Sequence, residues 1–450
     1  MNEKRKKAVV VFVVAISVIL CIYFIKESFK IYSLHDVKNT NDIQLADTEK
    51  SKQSDIIDET NTTSKSSTDI LQKKEETSEE TSEAASTEEI TDDIYERTTI
   101  NLGIPLADYY TTPGSIARCT YDIIAYNGRI YVGGGDDDRN LGPVPSWTYD
   151  ESDEKWYCID SGIPEEKIRR FQVIQNKLMF GGTDPREDWD YGNYYELSGE
   201  QWIKYRNIDK GAHNYDLFEH KGAIFIGTGS TPDGVTSVYP VMRSTDSGQS
   251  FEHVNFYKNN APLDIINQPL ARVYNFVEHN DILYCFLWIE NDDLTFNTFE
   301  LYSYNDTENA FYFVNDQSFF VKNKKYNPRD FTAALSYGGS VMLVNENGLY
   351  ITDDFINYYT MDICGTDIIR DMSIHNGYLY VLGDIRLEDG TYKSCLCRSS
   401  DGVYFEMEIY IISEIPACYF TLGEKGYYFG MGNRDFMGNA LLGSVYFAGY

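Results

Sequence analysis

A short alternating apolar run, a tight turn and a second run ending in glycine recur along this chain. They read "DIIAYNGRIYVGGGD", "FQVIQNKLMFGGTDP", "DLFEHKGAIFIGTGS", "NFVEHNDILYCFLWI", "AALSYGGSVMLVNE", "DMSIHNGYLYVLGD" and "YFTLGEKGYYFGMGN". With Gly128, Lys177, Gly222, Asp281, Gly339, Gly377 and Gly426 as turn markers, the spacing runs from 38 residues (Gly339 to Gly377) to 59 (Gly222 to Asp281). Such a unit cannot bury its apolar faces alone, and periods of this length are those of β-propeller blades. Most units continue with two more alternating runs around a polar turn, as in "SWTYDESDEKWYCI", "YYELSGEQWIKY" and "VMRSTDSGQSFEHV". Period-two patterning without helical periodicity gives an all-β chain of four-stranded units.

Seven first strands imply a seven-bladed β-propeller. The last unit runs out one strand short, after "GSVYFAGY". The missing strand is expected from the start of the domain, where "INLGIP" (100–105) resembles "IDSGIP" (159–164), the end of the first full unit. Pairing the two ends would close the ring and remove its open edges.

What precedes the repeat is of another kind. Lys4, Arg5, Lys6 and Lys7 stand before an uncharged apolar run from Ala8 to Ile25, about long enough to span a bilayer as one helix. No small-residue cleavage site follows it, so the run reads as a transmembrane signal-anchor rather than a cleaved signal peptide. Positive-inside bias places residues 1–7 in the cytoplasm and the rest outside, giving a single-pass cell-membrane protein. Residues 26–97 are rich in Ser, Thr, Glu, Asp and Lys with few large apolar side chains, so they read as an acidic disordered linker. A flexible tether of about sixty residues reaches about 45 Å. The extracytoplasmic propeller then occupies 98–450.

A formal net charge of -31 argues against nucleic acid or an anionic membrane surface as a partner. Seven of the eight cysteines lie outside the apolar run, with no Cys-x-x-Cys zinc pattern. Buried structural thiols are the expectation, with an odd one left over from any pairing.

One turn matches a known signature. In "RSTDSGQSFEHV", Ser244, Asp246, Gly248, Ser250 and Phe251 fit S-x-D-x-G-x-[TS]-[WF], the Asp-box; "RSSDGVYF" (398–405) and "TDDFINYY" (352–359) echo it. Repeat and motif together resemble the Asp-box, or BNR-repeat, sialidase-like β-propeller superfamily. The resemblance implies that the motif is a structural turn between third and fourth strands, opposite the active face, with Ser244 and Asp246 in local hydrogen bonds, Gly248 in an unusual backbone conformation and Phe251 packed inward. It does not carry over catalytic residues: no Arg-Ile-Pro occurs here, and "SIARCTYD" with Arg118 is a poor substitute.

The opposite face draws the arginines. Arg118, Arg169, Arg170, His213, Arg272, Arg329 and Arg370 stand near the starts of first strands. A column about seven residues before each turn reads Tyr121, Arg170, Tyr215, Tyr274, Thr332, Arg370 and Tyr419, and loops after second strands add Arg139, Arg186, Arg386 and Arg434. Guanidinium groups bind carboxylate or sulfate through paired hydrogen bonds and phenols offer flat faces to sugars. The expectation is a binding module for anionic glycan or a protein partner. The competing structural reading pairs these arginines with Asp122, Asp136, Asp184, Asp216 and Asp371, locking blade to blade. An enzyme on the same face, a sialidase-type glycoside hydrolase or a propeller-type polysaccharide lyase, would draw on Tyr121, Asp122, His213, Tyr215, Asp216 and Asp371. No cofactor is called for; Asp136, Asp137 and Asp138 could hold calcium but read as a solvated loop. His220, His279 and His375 recur beside the turns on separate blades, too far apart to share a metal.

Overall fold

In the computed structural model the chain is described over residues 95–136, 142–229, 239–263, 270–290, 297–317, 334–345 and 348–450. The apolar run 8–25, nearly all of the linker, and Asp137, Asp138, Arg139, Arg329 and Thr332 lie outside these.

Seven sheets follow one another along the chain, each built on an antiparallel meander: a seven-bladed propeller. Blade I contains Thr120–Tyr126, Arg129–Gly134, Val144–Asp150 and Lys155–Ile163. Blades II to VII begin at Lys167, Asn214, Leu270, Ala334, Ile368 and Ala417. First strands start at what we call the mouth face; the turns between first and second strands, and between third and fourth, lie on the other, the turn face.

Second strands such as Ala223–Thr228 are buried at every position, because neighbouring blades cover both sides of the sheet. Outer strands such as Lys155–Ile163 are largely exposed. The glycine near the end of the second strand in blades I, II and III now has a cause. A Cβ on Gly133, Gly181 or Gly227 would stand 2.5–2.7 Å from a backbone oxygen of the next blade's first strand (Ile168, Asn214 and Val273). Only glycine lets the blades approach this closely around the channel.

The ring closes through its two ends. Ile100–Asn101 pairs antiparallel with Val445–Gly449 as the fourth strand of blade VII, Ile100 opposite Phe447. Leu102 N–H donates to the Val445 carbonyl (2.8 Å) and Val445 N–H to Gly103 (2.9 Å). One expectation needs correction. Residues 95–97, read as linker, belong to the folded body: Glu96 bridges parallel to Tyr410 on the outer strand of blade VI. The four strands of blade IV are extended at their outer edge, where Asn255–Lys258 leaves blade III and lies parallel to Ala310–Asp316, carrying Ala261–Pro262 with it. A parallel crossover leaves no mark in the alternation.

Turns on the turn face clasp neighbouring blades. The inner hairpin of one blade grips the third-to-fourth turn of the next: Arg129 reaches Glu200 (2.7 Å), His220 and Lys221 reach Asp306 (3.4 and 2.6 Å), and Tyr337 reaches the Ser399 carbonyl (3.2 Å). His220 also meets Glu278 at 2.5 Å, and His279 packs edge-on to Phe355. These histidines are therefore blade ties. Blade VII holds blade I the same way, the backbone N–H groups of Glu424 and Lys425 and the Tyr428 hydroxyl all donating to buried Glu151 (2.9–3.0 Å).

The signature turn is built by its own side chains. Ser244 Oγ donates to Asp246 Oδ1 (2.8 Å) and accepts from Gly248 N–H (2.8 Å), while Asp246 accepts from Ser250 N–H and Oγ (2.9 and 2.6 Å). The Ser250 bonds, first its hydroxyl, hold the Asp246 carboxyl down at about 2. Ser399 with Asp401 and Thr352 with Asp354 repeat the pattern, so the two echoes fold alike. Gly248 has φ +86°, its carbonyl accepts from Tyr194 of blade II (3.0 Å), and Phe251 packs edge-on against that ring. Gly248→Ala, with a left-handed backbone and a Cβ aimed at the Tyr194 hydroxyl, should cost roughly 1–3 kcal/mol in denaturant unfolding. A neutral substitution would show that the turn does not clasp blade II.

Cys364, between blades V and VI, is disulfide-bonded to Cys397 of blade VI; Cys119, Cys158, Cys285, Cys395 and Cys418 take part in no disulfide, and of these Cys158 is exposed. One cross-link among buried thiols agrees with the composition.

Candidate functional site

The first strands of blades I, II, III, IV, VI and VII each carry a β-bulge near the mouth end, where the ladder skips one or two residues. Bulges re-aim side chains and leave backbone groups unpaired. The skipped residues are Tyr121, Arg169 with Arg170, Tyr215, Tyr274 with Asn275, Arg370 and Cys418. This corrects the column drawn from turn spacing. The four-residue turn of blade VII moves Tyr419 one step inward, in register with Asp122, Asp216 and Asp371.

Those aspartates use the bulges. Asp122 accepts from Ile123 N–H (2.9 Å) and from Phe171 N–H of blade II (2.6 Å). Asp216 takes Phe276 N–H of blade IV (3.1 Å), and Asp371 takes Met372 and, from blade VII, Phe420 N–H (2.9 and 3.3 Å). Asp216 also accepts from Gln172 (3.0 Å) and lies 3.4 Å from Arg170, whose guanidinium donates to Asn275 across the channel (2.8 Å). Burial pushes all three carboxyls up, Asp122 to about 6 and Asp371 to about 8, against the pull of the backbone donors and Arg170. As candidate catalytic acids they are instead blade-to-blade ties.

Two cavities share Arg169. The central channel, 350 Å³, is lined by Tyr121, Asp122, Arg169, Arg170, Gln172, Tyr274, Asn275, Asp371, Ser373 and Tyr419 among others, and reaches His375 and Thr421 near the turn face. A smaller recess of 50 Å³ at the mouth is lined by Lys167, Arg169, Thr183, Asp184, His213, Tyr215 and Arg272. In it Arg169 lies over the Tyr215 and Tyr274 rings (5.3 and 4.8 Å), and Arg272 donates to the Tyr274 hydroxyl (2.9 Å). Lys167 sits over Tyr121 (5.3 Å). His213 stacks on Tyr215 (5.9 Å) and its Nε2 meets Asp184 at 2.6 Å. Burial pushes the Asp184 carboxyl up, but hydrogen bonding to His213, its charge, a Glu166 hydrogen bond and the Lys167 charge together outweigh it and hold the carboxyl down at about 2. Burial pushes the Tyr215 phenol far above its ordinary range, so it is a poor nucleophile or base.

Of the residues singled out from sequence, Arg169, Arg170, Arg272, Tyr274 and Tyr419 do gather at the mouth and channel, with Tyr121, Asp122, His213, Tyr215, Asp216 and Asp371. Others do not. Arg118 is buried and turned to the carbonyls of Tyr110 (2.5 Å) and Ala107 (3.4 Å), so it braces the loop after the closing strand. Arg370 pairs with Asp384 on its own blade. Arg186 in its loop, Arg386 at the end of a second strand and Arg434 in a short 3-10 helix are exposed and line neither cavity, Arg386 lying against Tyr392. Lys167 was missed, although "KIRRF" sets three cations within four residues at a strand start. Asp136 is fully buried, and among the described residues no three His, Cys, Asp or Glu converge as a metal site.

No family model matches the chain, and no curated protein matches it in sequence. Among solved structures it is similar to the β-propeller domain of the trilobed protease of Pyrococcus furiosus (11% identity, 72% of this chain and 92% of that one, TM-score 0.41). It is also similar to the phage phi92 endosialidase (11%, 79% and 70%, 0.35) and to the Pyrococcus horikoshii acylaminoacyl peptidase (10%, 71% and 50%, 0.39). Likeness at this level says nothing of the chemistry of the present mouth.

Proposed function

We propose that the propeller is a binding module of the cell surface, held by the apolar run 8–25 and the acidic linker, and that its mouth takes an anionic, hydroxyl-rich ligand of the acidic-glycan class. The observation behind this reading is the convergence of Lys167, Arg169 and Arg272 on one 50 Å³ recess in a chain of net charge -31. Tyr215 and Tyr274 fix the face of the Arg169 guanidinium, and the adjoining channel offers amide, hydroxyl and carboxyl groups to sugar hydroxyls. Membership in the Asp-box superfamily belongs to the same proposal, supported by the three turns of like hydrogen bonding.

A second reading, a glycan-active enzyme, is favoured by one observation. Asp184 holds His213 through Nε2, and the other ring nitrogen is buried in the recess without a hydrogen-bond partner, a fit arrangement for a base. The high Tyr215 pKa and the structural use of the three channel aspartates weigh against it.

Binding of the full-length chain to sulfated, uronate-containing and sialylated oligosaccharides tests both. Charge-selective, salt-sensitive binding is expected, with Arg169→Gln weakening it roughly ten- to a hundredfold, the worth of a charge-assisted hydrogen bond. Turnover abolished by His213→Ala would establish the enzyme instead. Binding indifferent to salt and to Arg169→Gln would overturn the anionic-ligand reading.

A further inference from the structure

Beside the mouth recess, three polar side chains from consecutive parts of the chain are wholly enclosed: Glu165 between blades I and II (0% exposed), Asn193 on the third strand of blade II (0%) and Asn214 at the start of blade III (1%). We propose that Glu165, Asn193 and Asn214 form a site for a hard divalent cation, of the calcium class, at the junction of these blades.

The hydrogen bonds orient the three groups. Asn193 Nδ2 donates to Glu165 Oε1 (2.6 Å), as does the Tyr195 hydroxyl (2.9 Å), and Asn214 Nδ2 donates to the Asn193 carbonyl (2.9 Å). Both carboxamides thus spend their N–H₂ groups within the cluster. What remains is oxygen: Glu165 Oε2, Asn193 Oδ1 and Asn214 Oδ1 are all buried and none has a donor. Buried polar atoms are almost always satisfied, so three such acceptors on linked side chains point to something that accepts their lone pairs. One carboxylate and two carboxamide oxygens are a donor set for calcium rather than for zinc or copper.

Glycines border the cluster. A Cβ on Gly182 would stand 2.7 Å from both Glu165 oxygens, and one on Gly211 would stand 3.0 Å from Asn214 Oδ1. With one charged ligand, the affinity falls in the range of extracellular calcium modules, about millimolar.

The test is thermal unfolding of the full-length chain, stripped by chelator, against added calcium chloride. At about tenfold over a millimolar dissociation constant, the melting temperature should rise by roughly 2–4 °C. Glu165→Gln should abolish the response, and Asn193→Asp, which adds a second carboxylate, should shift it to lower calcium. If N193D does not fold, the wild-type and E165Q pair decides alone. A wild-type melting temperature indifferent to calcium would mean that water fills these oxygens. A response unchanged in E165Q would place the ion elsewhere; either result overturns the proposal.

Discussion

Replacing Glu151 by alanine should destabilise the propeller by roughly 3–5 kcal/mol, read as a fall in the denaturant midpoint. The carboxylate is 3% exposed and is the acceptor for Glu424 N–H, Lys425 N–H and the Tyr428 hydroxyl of blade VII. Alanine leaves those three donors without an acceptor in a site too tight for free hydration: a Cβ on neighbouring Gly423 would already touch Glu151 Oε1 at 2.5 Å. The loss falls where the first and last blades meet, so it adds to any weakness of the closing strand. Glu151→Gln, which keeps one acceptor oxygen, should recover part of the loss. If E151A unfolds at the wild-type midpoint, the other ties between blades VII and I, the Ala125 N–H to Thr421 hydrogen bond, the Lys425–Glu154 pair and the shared apolar packing, hold the junction instead.

Acidification from pH 8 to pH 5 should stabilise the protein, the reverse of the usual acid response. Asp371 and Asp122 have folded-state pKa values near 8 and 6, well above the ordinary carboxylate value of an unfolded chain. The folded state therefore binds more protons between about pH 4 and 8, and stability falls as pH rises through that window. Glu165 at about 7 acts in the same sense in the calcium-free chain. For Asp371 alone the change is on the order of a few kcal/mol, trimmed by water in the channel that it lines. Asp184, Asp246 and Asp354, each near 2, act oppositely: what they contribute is present above about pH 4 and lost as pH falls below it. The melting temperature should peak near pH 4–5, and Asp371→Asn should flatten the decline toward pH 8. A melting temperature that rises steadily from pH 5 to 8 would contradict the buried carboxyls.

How much of this was readable from sequence depends on the range of the interaction. Turn glycines, alternating strands and the "INLGIP" closing strand are local signals, and the blade count and closure follow from them. The roles of Asp122, Asp216 and Asp371 do not, because each depends on a backbone N–H freed by a bulge in another blade. Counting back as if from a two-residue turn sets Tyr419 one step too far toward the mouth, because blade VII turns through four residues; Arg118 and Arg370 sit at mouth-like spacings while their guanidinium groups turn to a loop and to Asp384. Charge says that a cation is present at a strand end. It does not say which way the side chain points.

The two strands that close the ring, Ile100–Asn101 and Val445–Gly449, are separated by nearly the whole propeller sequence. Blades I to VI can assemble in order as the chain emerges, each against the one before. Blade VII cannot be completed until its third strand has been made, and until then the arc has an uncovered apolar blade face at each end and an unpaired Ile100–Asn101 strand. Late, long-range pairing of this kind is slow and exposes the chain to association with other copies. The most vulnerable species during production is therefore a nearly complete six-bladed arc.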